Sequence, residues 1–195
     1  MALLNPEFLI AAMRATAWTE PRPDFAFYDD SAGLDEEVLD SVTAAPRSWD
    51  SKFVLRSAYY TYYDPDTRTS AWPLPVHLTT PELALWGQAH DLLREVPRAG
   101  DIFLQWSVPD EAFIHCGVIG RVYTGFRTEQ GITSIDLSTI EGDTNETLRL
   151  RGGKVKRGRR TMRPSKGDRF LRWSQIDVGE VRPEYEARAA EVWST

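Results

Sequence analysis

Along the first half of the chain apolar residues recur at helical spacing, and along the second half they alternate, so the pattern predicts helices followed by strands. Asn5 and Pro6 open a stretch in which Phe8, Leu9, Ala12 and Met13 fall on one face. An Asn cap followed by Pro in the first turn is a helix start. Pro21 to Ser31 reads as a loop, and Leu34 to Val42 as a short helix. After Trp49-Asp50-Ser51, the residues Phe53, Val54, Ser57, Ala58 and Thr61 line one face of a helix that Asp64-Pro65-Asp66 ends. The small residues on that stripe let its backbone lie close against a sheet. Thr80-Pro81-Glu82 opens a further helix, expected to reach about Val96.

The period then changes. Asp101 to Trp106, Ala112 to Val122 and Gly131 to Ile140 are β-rich runs bounded by Gly, Pro and Asp, and Lys154 to Met162 and Asp168 to Trp173 read as two more strands joined by Pro164-Ser-Lys-Gly167. Arg182 to Trp193 reads as a closing helix. Helices followed by an antiparallel meander of about five strands describe an α+β domain. At 195 residues the chain is expected to form a single domain spanning 1–195.

Composition narrows the classes. With 42% apolar residues, seven Trp, seven Tyr and eight Phe, the chain is not a disordered or low-complexity polymer. The single cysteine, Cys116, excludes an internal disulfide and a Cys-rich zinc site. His77 and His90 have no ligand-like neighbours at metal spacing, so no metal or other cofactor is expected. Glu7 and Arg14 interrupt the apolar N-terminal stretch, which has no basic leader and is not read as a signal peptide. No apolar run approaches a membrane span, and the expected location is cytoplasmic with no membrane partner.

The net charge of −6 hides an asymmetry. From Arg149 to Arg172 there are eleven Lys or Arg and one acid, Asp168, so this segment carries +10 and the rest of the chain −16. Such a segment is either a solvated, self-paired hairpin or a contact surface for a polyanion.

Four phrases occur in a telling order: Ala99-Gly-Asp-Ile-Phe103, His115-Cys-Gly-Val-Ile119, Thr139-Ile-Glu-Gly-Asp-Thr-Asn145, and a basic Val155 to Arg163 stretch leading to Arg169-Phe170. Together, over about 48–173, they resemble the CHAP family, cysteine- and histidine-dependent amidases and peptidases of the papain-like superfamily that cut peptidoglycan peptides. The resemblance implies a papain-like fold in which a Cys opens the central helix, a strand His deprotonates it, and an acid or Asn on the next strand orients the His. The matching positions are His115 and Glu141, with Asp143 where Asn is frequent. The nucleophile motif, Trp-Cys-Ala/Ser-x-Phe-Val, matches Trp49-Asp50-Ser51-Lys52-Phe53-Val54, with Asp50 in place of the cysteine.

Asp50 keeps the negative charge of a thiolate and can pair with His115, but a carboxylate is a poor nucleophile toward an amide, and the product would be a high-energy anhydride. Asp is equally an ordinary helix cap. Cys116, adjacent to His115 on a strand, is expected to point to the opposite sheet face and to be a core thiol. Ser51, one residue along the helix and about 100° around it, aims away from the His115 axis. The implied function is a CHAP-like protein without its nucleophile, binding a peptide or peptidoglycan fragment in a remnant cleft with Trp49, Ser51 and Trp106 as contacts. Two alternatives stay open: a variant hydrolase using Ser51 or Asp50, and a polyanion-binding protein using 149–172. Trp72, Trp86 and Trp106 are candidate groove aromatics.

Overall fold

The computed structural model describes residues 4–18, 50–64, 66–76, 78–129, 131–144 and 154–176. The loop expected at 21–31 and the helices expected at 34–42 and 182–193 lie outside them, as do Trp49 and His77. Among the described residues, three helices precede the main sheet: α1 (Pro6–Trp18), α2 (Asp50–Thr61) and α3 (Thr80–Ala89). Between α2 and α3 lies a small hairpin, β1 (Tyr63–Asp64) with β2 (Thr69–Ser70). The main sheet comprises β3 (Leu93–Arg94), β4 (Ile102–Ser107), β5 (Ala112–Thr128), β6 (Gly131–Thr144), β7 (Lys154–Met162) and β8 (Arg169–Leu171). It is antiparallel throughout, in the order β3-β8-β4-β5-β6-β7. The architecture is α+β.

The starts of α1 and α3 follow from their first residues. Asn5 Oδ1 accepts the Glu7 amide at 3.0 Å. Thr79 precedes α3, and its amide donates to Glu82 Oε2 at 2.8 Å in a capping box. The third helix ends at Ala89 rather than near Val96, because Asp91 turns through a positive φ of 50° and the chain re-enters the sheet as β3. That two-residue edge strand brings the sheet to six strands instead of about five. It is too short to show alternation, and its apolar neighbours Leu92 and Val96 prolong the helical pattern. The hairpin at 63–70 escapes the pattern for the same reason.

All three helices pack on one sheet face. Leu9 and Met13 from α1, Phe53, Val54 and Ala58 from α2, and Leu83 from α3 bury against Ile102, Leu104, Cys116, Val118, Ile140 and Leu171. The opposite face carries a second cluster of Phe103, Ile119, Ile135, Leu137, Met162 and Phe170. A 3-10 turn, Pro164–Lys166, packs against β6, and Ser165 Oγ donates to the Thr133 carbonyl at 3.2 Å. Register shifts at three places between β5 and β6 bend these long strands. Among the described residues, no helix is long and apolar enough to cross a membrane.

Gly117, at the centre of the sheet, has no room for a side chain. A Cβ there would stand 2.7 Å from Phe103 Cε1, 2.8 Å from the Ile140 carbonyl oxygen and 2.9 Å from Glu141 Cγ. Gly117→Ala is therefore expected to destabilise the protein by about 1–3 kcal/mol, measured as a lowered urea midpoint. Gly125→Ala, whose Cβ would meet nothing nearer than 3.8 Å, should leave the midpoint almost unmoved.

Candidate functional site

Three elements converge where α2 begins. Asp50 is its first residue, His115 lies on β5 opposite Gln105, and Glu141 lies on β6. All three are buried, at 1%, 0% and 0% exposure. His115 Nε2 is 2.9 Å from Glu141 Oε2. His115 Nδ1 is 3.0 Å from Asp50 Oδ2, but its N–H is not aimed along that line, so the contact is Coulombic rather than a directed hydrogen bond. The same Oδ2 accepts the Cys116 amide at 2.8 Å and the Thr80 hydroxyl at 3.1 Å. One carboxylate oxygen of α2 thus gathers a strand amide, a hydroxyl from α3 and the imidazole.

On the other side, Arg160 of β7 grips Glu141 with a two-pronged contact, Nε to Oε1 at 2.7 Å and NH2 to Oε2 at 2.6 Å. Its NH1 donates to Gln105 Oε1 at 3.1 Å, and the guanidinium lies 5.7 Å from the Phe103 ring centroid. The Thr139 hydroxyl donates to Glu141 Oε1. With the imidazole protonated, two carboxylates face one imidazolium and one guanidinium, and the charges cancel. A buried ion cluster survives only on that condition.

Burial pulls the His115 pKa down, and the neighbouring Asp50 and Glu141 carboxylates outweigh it, leaving the pKa above its ordinary 6.5. For Glu141, burial raises the pKa, and His115 with Arg160 more than reverses this, so it lies below its ordinary 4.5. Burial, then the charge of Asp50, push the Cys116 thiol well above its usual range. Cys116 sits on the helix-covered face with its Sγ 3.6 Å from the Thr80 hydroxyl, opposite in direction to His115, as strand alternation requires. A thiol that stays protonated is no nucleophile.

Ser51 is buried next to Asp50, yet the two ring nitrogens of His115 face carboxylates, so no imidazole nitrogen turns to its hydroxyl. Asp143 lies in β6 in the irregular stretch between Glu141 and Thr144, and its side chain is outside the described residues. Trp106 stands apart from the network, with its ring edge-on to Phe113 at 5.0 Å. Trp72 is buried against Trp173 at 4.6 Å, and Trp86 stacks on His90 at 4.0 Å, so these two do not line a groove with Trp106. The expected groove between Asp50 and His115 is closed: the two side chains touch directly and are shut from solvent, because the helix N-terminus is drawn onto the Cys116 amide.

Sequence reasoning missed Arg160, Gln105, Thr139 and Thr80 as members of the network. Thr139 had a signal, being two residues before Glu141 and so on its face. Arg160 belongs to a basic run in the sequence, whereas in the structure it turns inward as the partner of Glu141. Among the described residues no group of three or more His, Cys, Asp or Glu has an arrangement that would hold a metal ion. Comparison of the chain with protein-family models, curated proteins and solved structures finds no match.

Two consequences are measurable. Removing one partner of a buried pair leaves the other uncompensated, so Glu141→Ala should cost about 3–5 kcal/mol in urea unfolding. The folded-state pKa of His115 is raised, so its contribution is complete below about pH 6.5, the unfolded value, and is lost as pH rises through the folded value. Glu141 acts at the other end, losing its contribution as pH falls below about 4.5. Unfolding free energy is expected to decline on the alkaline side of 6.5, and that decline should shrink in His115→Gln.

Proposed function

We propose that this chain is a non-hydrolytic, papain-like relative of the CHAP amidases that binds a peptide or cell-wall fragment without cutting it. One observation carries the reading. The first residue of a central helix, a strand histidine and an acid on the next strand meet in the order the CHAP resemblance implies, with Asp50 Oδ2 at 3.0 Å and Glu141 Oε2 at 2.9 Å from opposite imidazole nitrogens. Asp50 stands where the motif has its thiol.

The loss of hydrolysis follows from chemistry at that atom. A nucleophile needs a free lone pair directed at a substrate carbonyl. Asp50 Oδ2 is shared among the Cys116 amide, the Thr80 hydroxyl and the imidazole, and it is buried. His115, held with a raised pKa between two carboxylates, is a proton holder rather than a free base at neutral pH. The choice of a peptide or peptidoglycan fragment as ligand rests on the family resemblance.

The expected result is that the purified protein sediments with insoluble peptidoglycan but does not hydrolyse it, nor small amide and ester substrates. Turnover that disappears in His115→Ala would overturn the reading. In Asp50→Cys the new thiol should ionise below the ordinary thiol range, followed by thiolate absorbance, and lose that shift when His115→Ala is added. An unshifted thiol argues against a retained nucleophile position.

A further inference from the structure

A second feature lies on the rim of the same sheet, outside the Asp50–His115–Glu141 contact. A cavity of about 370 Å³ opens between β4, β7 and the turn that follows β7, and its lining includes Gln105, Trp106, Arg160, Arg163, Lys166 and Asp168. Its charged lining side chains are cations with one exception. Asp168 is the one carboxylate among its lining residues, and both oxygens are occupied, Oδ1 by the Trp106 amide at 2.8 Å and Oδ2 by the Arg163 amide at 2.6 Å. Arg160 is committed to Glu141 and Gln105. Arg163 and Lys166 are exposed, and their side chains have no carboxylate partner among the described residues. Gln105 points its Oε1 at Arg160, which leaves its amide N–H groups as the part free for a ligand.

The wall between these donors is an indole. Trp106 is half-buried and braced edge-on by Phe113. Gly167, at a φ of 106°, packs so closely that a Cβ there would be 2.7 Å from the Trp106 ring. The turn backbone thus packs directly against the Cγ–Cδ1 side of the indole and holds the ring in place. A rigid aromatic beside unpaired cations and an amide donor matches a ligand with a planar ring and several anionic oxygens. Phosphate answers this set better than carboxylate, since it offers three oxygens and up to two charges to two cations and an amide. A cavity of this size lies within the range of small-ligand sites.

We propose that this cavity is a nucleotide-phosphate site, in which Arg163, Lys166 and the Gln105 amide bind the phosphate and Trp106 stacks the base. The nucleotide is either free or the phosphorylated end of a single strand. This inference is independent of the peptide-binding reading above, which concerns Asp50, His115 and Glu141.

The test titrates the full-length protein with inorganic phosphate, with AMP and with a short 5′-phosphorylated oligothymidylate, following Trp fluorescence and binding heat. AMP should bind more tightly than inorganic phosphate, and Arg163→Ala with Lys166→Ala should weaken AMP at least about tenfold. Both residues are on the surface, so the double variant should keep the wild-type urea midpoint. Arg127→Ala, on the β5–β6 hairpin, should leave binding unchanged. Equal affinity for AMP and the oligonucleotide identifies a terminal phosphate as the shared group, and tighter oligonucleotide binding that still depends on Arg163 and Lys166 identifies a strand end as the source. No binding of any probe overturns the proposal. So does binding that the double variant leaves intact, or oligonucleotide binding that falls equally in Arg127→Ala, which would mark diffuse attraction to a basic surface.

Discussion

An imidazole with no access to water must have its charge balanced locally, and this constraint organises the centre of the molecule. His115 is flanked by Asp50 and Glu141, and the second negative charge is met by Arg160. These residues come from α2, β5, β6 and β7, so the balance forms only when helix and sheet are docked. The cost of stripping water from four charged groups is large, and it is offset only because almost every oxygen and nitrogen finds a partner. Asp50 does the most of this, since one of its oxygens holds the Cys116 amide as well as the imidazole. The same docking seats Phe53, Val54 and Ala58 of α2 against Val118 and Ile140 of the sheet.

Geometry around that centre leaves little slack. Gly117 passes under Phe103 and Glu141 so closely that only a hydrogen fits, and Phe103 in turn lies 5.8 Å from the imidazole and 5.7 Å from the Arg160 guanidinium. The glycine is what lets the Glu141 side chain lie across β5 to reach His115. A protein that needed this network for catalysis would have to open it. Here packing closes it, with Asp50, His115 and Glu141 all shut from solvent.

The basic segment divides its labour. Arg160 and Arg172 turn inward, the latter to Asp101 at 3.1 Å and the Val96 carbonyl at 2.6 Å, and Arg169 contacts Glu95 at 3.5 Å. Arg159 lies 4.6 Å from the Tyr123 ring centroid. Arg163 and Lys166 remain outward beside a donor-rich cavity. Among the described residues, the positive charge of the run is thus divided between the interior and the surface. Strand alternation along β7, and the turn and β8 that follow it, sort its members between interior and surface.

Periodicity alone announced most elements. The stripe from Phe53 to Ala58 marked α2, Thr80-Pro81 marked the start of α3, and the β-rich runs at 101–106, 112–122, 131–140 and 154–162 marked the long strands, because burial on one face imposes a period on any amphipathic element. Two of these strands extend further in the structure, to Thr128 and Thr144. The residues meeting at Asp50 were legible too, through motif order, and Cys116 was placed by its adjacency to His115 on a strand. Two-residue strands left no period to read, which hid β3 and the hairpin at 63–70. Whether Asp50 and His115 would face each other across open space or touch, and which arginine would answer Glu141, depended on contacts between residues 19 to 66 positions apart. Local sequence carries no record of such distances. They are decided by how four elements share one buried, charge-neutral volume.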